Sequence, residues 1–315
     1  MTDPWDGVAW TRYVHAFGPA TNIPHHLTEW LGSNPRKRLD SGTYLRNANF
    51  AFGVWPATAP TASVLAELLD GGGLDEDEIY LPLLFIDRIA HLCDLGTEAE
   101  TIRGRCEQRS NEAATWTTAY AASDHAGREA MRADEPELMR LVHEAAQLAC
   151  FTLIPRFVAT VLPFLDDERI VRRGWIAATI AALARHPLMS GQRTVLAARV
   201  EQAAQAEMDV RELATLLIAF GDLGGVPRAW LDHPHVGVRG SAAMAETLVG
   251  DVTATNVLTE LSREPGVYFA SFGDVAPPAQ FMVPPHGRDL LSEAFQGNPG
   301  ACRARPSGRS RRSGR

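Results

Sequence analysis

Asp87 and His91 stand four residues apart, with Cys93 just beyond them, and this is the nearest the chain comes to catalytic text. Positions i and i+4 share one helix face, so the carboxylate could orient the imidazole, the first half of a nucleophilic or metal site. The other half is missing: the surrounding run is apolar and offers no further ligand, so the pair reads as a satisfied, half-buried couple. His25 and His26 are neighbours and point about 100° apart on a helix, which prevents them from facing one ligand. His233 and His235 flank Pro234 in a turn without acidic or thiol partners at metal spacing. The acids Asp166-Asp167 and Asp75-Glu76-Asp77-Glu78 fall at helix starts, where the helix dipole favours negative charge, so capping rather than acid/base work is their reading. The glycines of GDLGG at 221–225 end a helix and follow no strand. GxGxxG after a strand, GxxxxGK[ST], HExxH and GxSxG do not occur. No metal or cofactor is expected, and no catalytic residue is assigned.

The four cysteines, Cys93, Cys106, Cys150 and Cys302, match no CxxC zinc pattern and read as reduced, mostly packed thiols. The N-terminus MTDPWDG has neither the positive nor the apolar region of a secretion signal, and no apolar run reaches a bilayer span, so a cytoplasmic, non-membrane protein is expected. Six arginines and no acid lie in the last fifteen residues. Taking those six charges from the total of −8 leaves −14 on the body. So acidic a surface repels phosphate backbones, which makes nucleic acid an unlikely partner and suits a basic protein instead. The tail is Gly/Ser/Arg/Pro text of the disordered kind.

With 45% hydrophobic residues, dense alanine and few aromatics, the 315-residue chain lacks the alternating β-branched runs of a sheet. Helical text dominates. A helix is expected from Pro35 to about Asn49 despite Gly42, which costs about 1 kcal/mol against alanine. Val64, Leu65, Leu68 and Leu69 form one stripe, and the text at 79–92, apolar on nearly every side, demands neighbours on more than one flank, with Pro82 expected to kink it. Asp75 with Glu78 fits a capping box. The predicted organisation is N-terminal helical hairpins over 1–94, an irregular connection with one short helix over 95–135, repeats over 136–265, a Pro/Gly-rich end with a short helix over 266–300, and the basic tail over 301–315.

Internal self-similarity is the most specific signal. LDDERIVRRGWIAA from Leu165 and LDHPHVGVRGSAAM from Leu231 align without a gap at an offset of 66, matching Asp166 with Asp232, Arg173 with Arg239, Gly174 with Gly240 and Ala177 with Ala243. MDVRELATLL adds a third version with Val210, Arg211 and Ala214. An Asp that starts a helix, an inward valine (Val171, Val210, Val238), an arginine and then alanines that admit a close neighbour is the text of the second member of a helix pair. Over 136–262 this resembles HEAT repeats. The resemblance implies an armadillo-type α-α superhelix, an α-solenoid of antiparallel hairpins whose concave face is used for recognition.

The segment GVWPATAP at 53–60 halts the helical text and releases it at once. Gly53 supports a turn that other residues resist, Pro56 keeps the link extended, and Thr58 or Ala59 with Pro60 starts the next helix, so it reads as the corner of a helical hairpin. Together with Tyr13, His15, Ala16, Phe17, Gly18 and Ala20, this corner resembles the opening of a family of actinobacterial HEAT-repeat proteins of unassigned function. That family carries His-Gln before the corner glycine. This chain has Ala51-Phe52, which puts any polar role there in doubt.

The expectation is therefore an all-α, non-catalytic scaffold that holds a protein partner, in the manner of an immunity-like or regulatory binder. Its candidate surface is Phe52 and Trp55 at the corner with Arg172, Arg173, Trp175, Arg211 and Arg239 along the repeats; the corner itself reads first as structural, with Trp55 over the ends of two helices, and the peptide-binding aromatic patch of Phe52 and Trp55 is its alternative. The alternative is a HEAT-like DNA glycosylase, in which Trp175 and Arg172-Arg173 would face damaged DNA in a basic groove.

Overall fold

The computed structural model of the chain describes residues 3–170 and 172–273. They are mostly helical, as expected, with one minimal two-stranded ladder, β1 (Val14–His15) against β2 (Gly18–Pro19). Fifteen α-helices follow among the described residues: α1 (Ile23–Trp30), α2 (Pro35–Phe50), α3 (Thr58–Asp70), α4 (Tyr80–Leu92), α5 (Ala99–Gln108), α6 (Ser110–Ala122), α7 (His125–Asp134), α8 (Pro136–Phe151), α9 (Ile154–Val161), α10 (Arg173–Leu183), α11 (Arg193–Ala206), α12 (Val210–Asp222), α13 (Val236–Ala243), α14 (Val252–Arg263) and α15 (Pro265–Ala270). Among the described residues no single helix is long and apolar enough to cross a membrane.

Several starts obey capping chemistry. Asn34 accepts from the backbone N–H groups of Arg36 and Lys37 ahead of Pro35, while Asp124, Asp209 and Asp251 do the same for α7, α12 and α14. The predicted box before α4 is present: Glu78 N–H donates to Asp75 Oδ1 at 2.8 Å and Asp75 N–H to Glu78 Oε2 at 2.9 Å. Pro82 falls at the third position of α4, where its missing N–H would have lacked an intrahelical partner anyway. The expected kink therefore has no cause.

The chain divides into two compact units, one of residues 1–162 with Arg185–Ser190 and one of Pro163–Ala184 with the described residues from Gly191 onward. In the first, α8 is the hub, packed by α3, α4, α5, α6 and α7. The corner ties this unit together. Trp55 is wholly buried, with its ring 4.7 Å from His143 of α8 and 5.2 Å from Tyr120 of α6. Its indole N–H donates to Ala51 O, and Thr58 Oγ1 accepts from Trp55 N–H and donates to Asn49 O, closing the turn from both sides. The entry hairpin joins through Ala57 N–H to Val14 O and Ala16 N–H to Ala48 O, and Tyr120 Oη donates to Ala16 O at 2.7 Å.

The second unit is a succession of layers. Helix α10 packs on α12, α12 on α13, and α13 on α15, while α11 covers α12 and α14 covers α13. The aligned positions share environments: Leu165 and Leu231 are buried, as are Gly174 and Gly240, and Ala177, Ala214 and Ala243. A Cβ on Gly174 would stand 2.5 Å from Thr215 Cβ of α12, and one on Gly240 would stand 2.9 Å from the Tyr268 ring of α15.

Two expectations need correction. Residues 95–135 hold three helices, α5 to α7: Ile102 of α5 and Trp116 and Tyr120 of α6 are buried, while α7 buries no side chain fully and contributes the partly buried Met131. The repeat aspartates Asp166 and Asp232 cap nothing: α10 begins at Arg173 and α13 at Val236, well past both. Val171 and the expected short helix and basic tail beyond residue 273, with Cys302, lie outside the described residues.

Burial holds the His143 imidazole neutral, with its pKa lowered to about 4. A depressed histidine contributes stability in full above its unfolded value near 6.5 and loses it as pH falls toward 4. The whole effect is at most about 3 kcal/mol. Urea titrations of wild type and His143→Leu at pH 7.5 and 4 should show a shallower acid loss in the variant; an unchanged slope would remove His143 from the account. His15, lowered by burial as well, leaves a residual slope in the same direction.

Candidate interaction site

At the corner the structure separates the two aromatic residues. Trp55 is interior and unavailable to a ligand, which agrees with the structural reading of the corner and corrects its inclusion in the aromatic patch; its size and its N–H are both used in closing the turn. Phe52 is 68% exposed and holds φ of +66°, a left-handed conformation rare for an aromatic residue. The Arg132 guanidinium lies 5.0 Å from its ring centroid. Gly53 follows at φ +142°, and a Cβ there would meet His143 Nδ1 at 2.5 Å, so the glycine is required twice over.

The repeat residues are not gathered into one basic surface. Arg173 Nη1 faces Glu207 Oε2 at 3.6 Å, across from α10 to the end of α11, as an arginine pairing with the next unit should. Arg239 turns back on its own loop, donating to the carbonyls of His233 and Pro234. Arg172 is exposed, and Trp175, Arg211 and Val210 are half-buried; Val238 is buried as the repeat pattern requires. Asp166 pairs with Arg199 of α11, and Asp232 is exposed.

Sequence reasoning missed Glu212. Its carboxylate accepts from Gly174 N–H at 2.8 Å, so α12 caps the first turn of α10, which has no cap of its own. Burial, with Asp209 and Glu207 nearby, raises its pKa against the pull of that N–H. A carboxyl raised in the folded state stabilises fully below its unfolded value near 4.5 and less as pH rises through the folded value.

A groove between α2 and α4 was also missed. It encloses about 470 Å³ and runs along Pro35, Arg38, Leu39, Gly42, Thr43 and Arg46 of α2, facing Asp77, Tyr80, Leu81 and Leu84, with Trp30 of α1 at its floor. The first set is a complete helical stripe at i, i+3, i+4, i+7, i+8 and i+11, about 16 Å long. Spacing alone made it legible, but mean polarity masked it. Arg38 is engaged by Asp75 at 3.0 Å and Glu78 at 3.1 Å.

The remaining polar clusters among the described residues are small hydrogen-bonded groups. Glu29, Ser41 and His26 form a chain in which Ser41 Oγ donates to Glu29 Oε2 at 3.1 Å and lies 3.2 Å from His26 Nδ1. Ser41 is only 1% exposed, so its hydroxyl is closed off from any substrate and the bond to Glu29 serves to satisfy a buried polar group. His26 stacks on Tyr44, whose hydroxyl accepts from Asn22, itself bonded to buried His15. His91 Nε2 stands 3.6 Å from Asp87 Oδ1. The hydrogen bond with Cys150 and burial push the Cys93 thiol well up, away from a reactive thiolate. Among the described residues no group of three or more His, Cys, Asp or Glu could hold a metal ion. Comparison with protein-family models, curated proteins and solved structures finds no match.

Two substitutions read these assignments. Phe52→Gly relieves a left-handed strain of about 1–2 kcal/mol while losing little burial, so the urea midpoint should stay level or rise; a loss above about 1 kcal/mol would make the ring structural. Glu212→Gln keeps the acceptor and removes the buried charge, so its stability should gain on wild type as pH climbs from 4.5 to 7. Glu212→Ala should lose about 1 kcal/mol, and equal behaviour of the two would dismiss the cross-helix cap.

Proposed function

We propose that the chain is a non-catalytic binding protein of the cytoplasm, an α-solenoid of HEAT type that holds a protein partner and needs no cofactor. The observation that carries this reading is the succession α10, α12, α13 and α15, in which residues aligned at an offset of 66 occupy matching buried positions and small side chains meet the next helix. Units of that kind cover their apolar faces only by stacking, and stacking leaves an extended edge for recognition. The net −14 of the body outside the C-terminal tail favours a partner with a basic surface, as in an immunity-like or regulatory pairing.

The same geometry speaks against a DNA glycosylase. Arg173 is matched by Glu207, and Glu212 has Asp209, Glu207 and Arg211 around it, so the charges at the starts of α10 and α12 are mixed rather than a basic face. A groove for a phosphate backbone calls for unmatched basic side chains, and Arg173 is already paired.

Affinity capture on the full chain from extracts of its native host, followed by light scattering of the reconstituted pair, tests the proposal. One protein partner should bind saturably with fixed stoichiometry, and alkylated or abasic duplex DNA should neither be retained nor lose base. Base release that disappears in Trp175→Ala would overturn it.

A further inference from the structure

The groove between α2 and α4 is apolar along its length and oppositely charged at its two ends. Leu39 at its rim is 71% exposed, and Trp30, Tyr80, Leu81 and Leu84 supply apolar wall and floor. At one end stands Arg46, whose guanidinium makes no ion pair or hydrogen bond with the described residues. At the other stands Asp77, whose carboxylate likewise makes none. The ends are fixed by Arg38, which reaches Glu78 beside Asp77 and lies eight residues, about 12 Å, before Arg46.

Gly42 marks the middle. A glycine inside a helix costs about 1 kcal/mol against alanine, and here its φ is ordinary. A Cβ at this position would meet Trp30 Cδ1 at 3.6 Å and Leu81 Cδ2 at 3.8 Å, which is plain van der Waals contact. Packing of α2 on its neighbours therefore does not require the glycine. Its effect is to keep the floor of the groove open.

We propose that this groove is the seat of an amphipathic helix from the partner protein, one whose apolar stripe fills the trough while a cationic side chain meets Asp77 and a carboxylate meets Arg46. The proposal rests on the reading of the chain as a binding protein and names where and what it binds. An open trough along two helix stripes has the form used to hold a helix, whose i, i+3, i+4 and i+7 side chains enter it. The unpartnered charges at the ends select a helix with opposite signs about two turns apart over one with a single sign.

The test uses three fluorescein-labelled synthetic helices of about fifteen residues with the same leucine stripe: one carrying lysine at one end and glutamate at the other, one with lysine at both ends, one with glutamate at both. Anisotropy titrations against the full chain should show saturable binding with the mixed peptide preferred by about fivefold. Arg46→Glu should transfer that preference to the di-lysine peptide and Asp77→Lys to the di-glutamate peptide. Gly42→Leu, with circular dichroism and melting checked for an intact fold, should remove binding of all three. Equal binding of the three peptides, no saturable binding, or binding that survives Gly42→Leu would overturn the assignment. So would light scattering that shows the full chain self-associating through a face lost in Gly42→Leu. If peptide binding fails while the captured partner still binds, the partner sits elsewhere and only this inference falls.

Discussion

Close approach of helix backbones is the constraint on which the second unit depends. Gly174 lies where a single added carbon would stand 2.5 Å from Thr215, and Gly221 where it would stand 2.7 Å from Ala245 Cβ. Gly237 and Gly240 present the same demand to Phe272 and Tyr268. Each successive helix is thus held against its neighbour by the absence of a side chain, and the buried alanines of α10 and α12 fill the rest of a thin interface. Dispersion at such short range adds to that of the larger buried side chains of the same helices, among them Ile176, Ile180, Leu216, Leu217, Val238 and Leu258. The cross-helix hydrogen bond from Gly174 to Glu212 exists for the same reason, because only a helix this near could reach an uncapped first turn.

The first unit meets its packing requirement by opposite means. There a large ring, Trp55, fills the space between the entry hairpin, the end of α2, α6 and α8, and a tight turn places it. That turn costs backbone strain at Phe52 and forbids a side chain at Gly53. What the strain leaves outside is an exposed phenyl under a guanidinium, and what the turn orders inside is an aromatic series running from His143 through Trp55 and Tyr120 to Trp116.

Much of the helical architecture was legible from local chemistry. Asn34-Pro35 starts α2, the Asp75/Glu78 pair starts α4, and the residues at Leu165 and Leu231 report equivalent burial through their spacing alone. The failures share a cause, which is that sequence shows what a residue can do and not what faces it. Asp166 has the chemistry of a cap, but its carboxylate is taken by Arg199, thirty-three residues away. Trp55 is an aromatic at a turn, indistinguishable in text from a surface patch until α6 and α8 close over it. Residues 95–135 look polar because α5 and α6 bury only a few side chains and α7 none fully. The groove along α2 was hidden in part for the same reason: the α2 stripe is legible by spacing, but the facing wall and the Trp30 floor come from other helices.

Gly174 offers the most direct measurement of the central claim. In an ordinary helix interior, Gly→Ala stabilises by about 1 kcal/mol, whereas forcing a methyl into a filled interface costs about 1–3 kcal/mol. The urea-unfolding free energy of Gly174→Ala should therefore fall by about 1–2 kcal/mol. A variant as stable as wild type, or more so, would mean that α10 and α12 are not in the contact on which the layered arrangement rests.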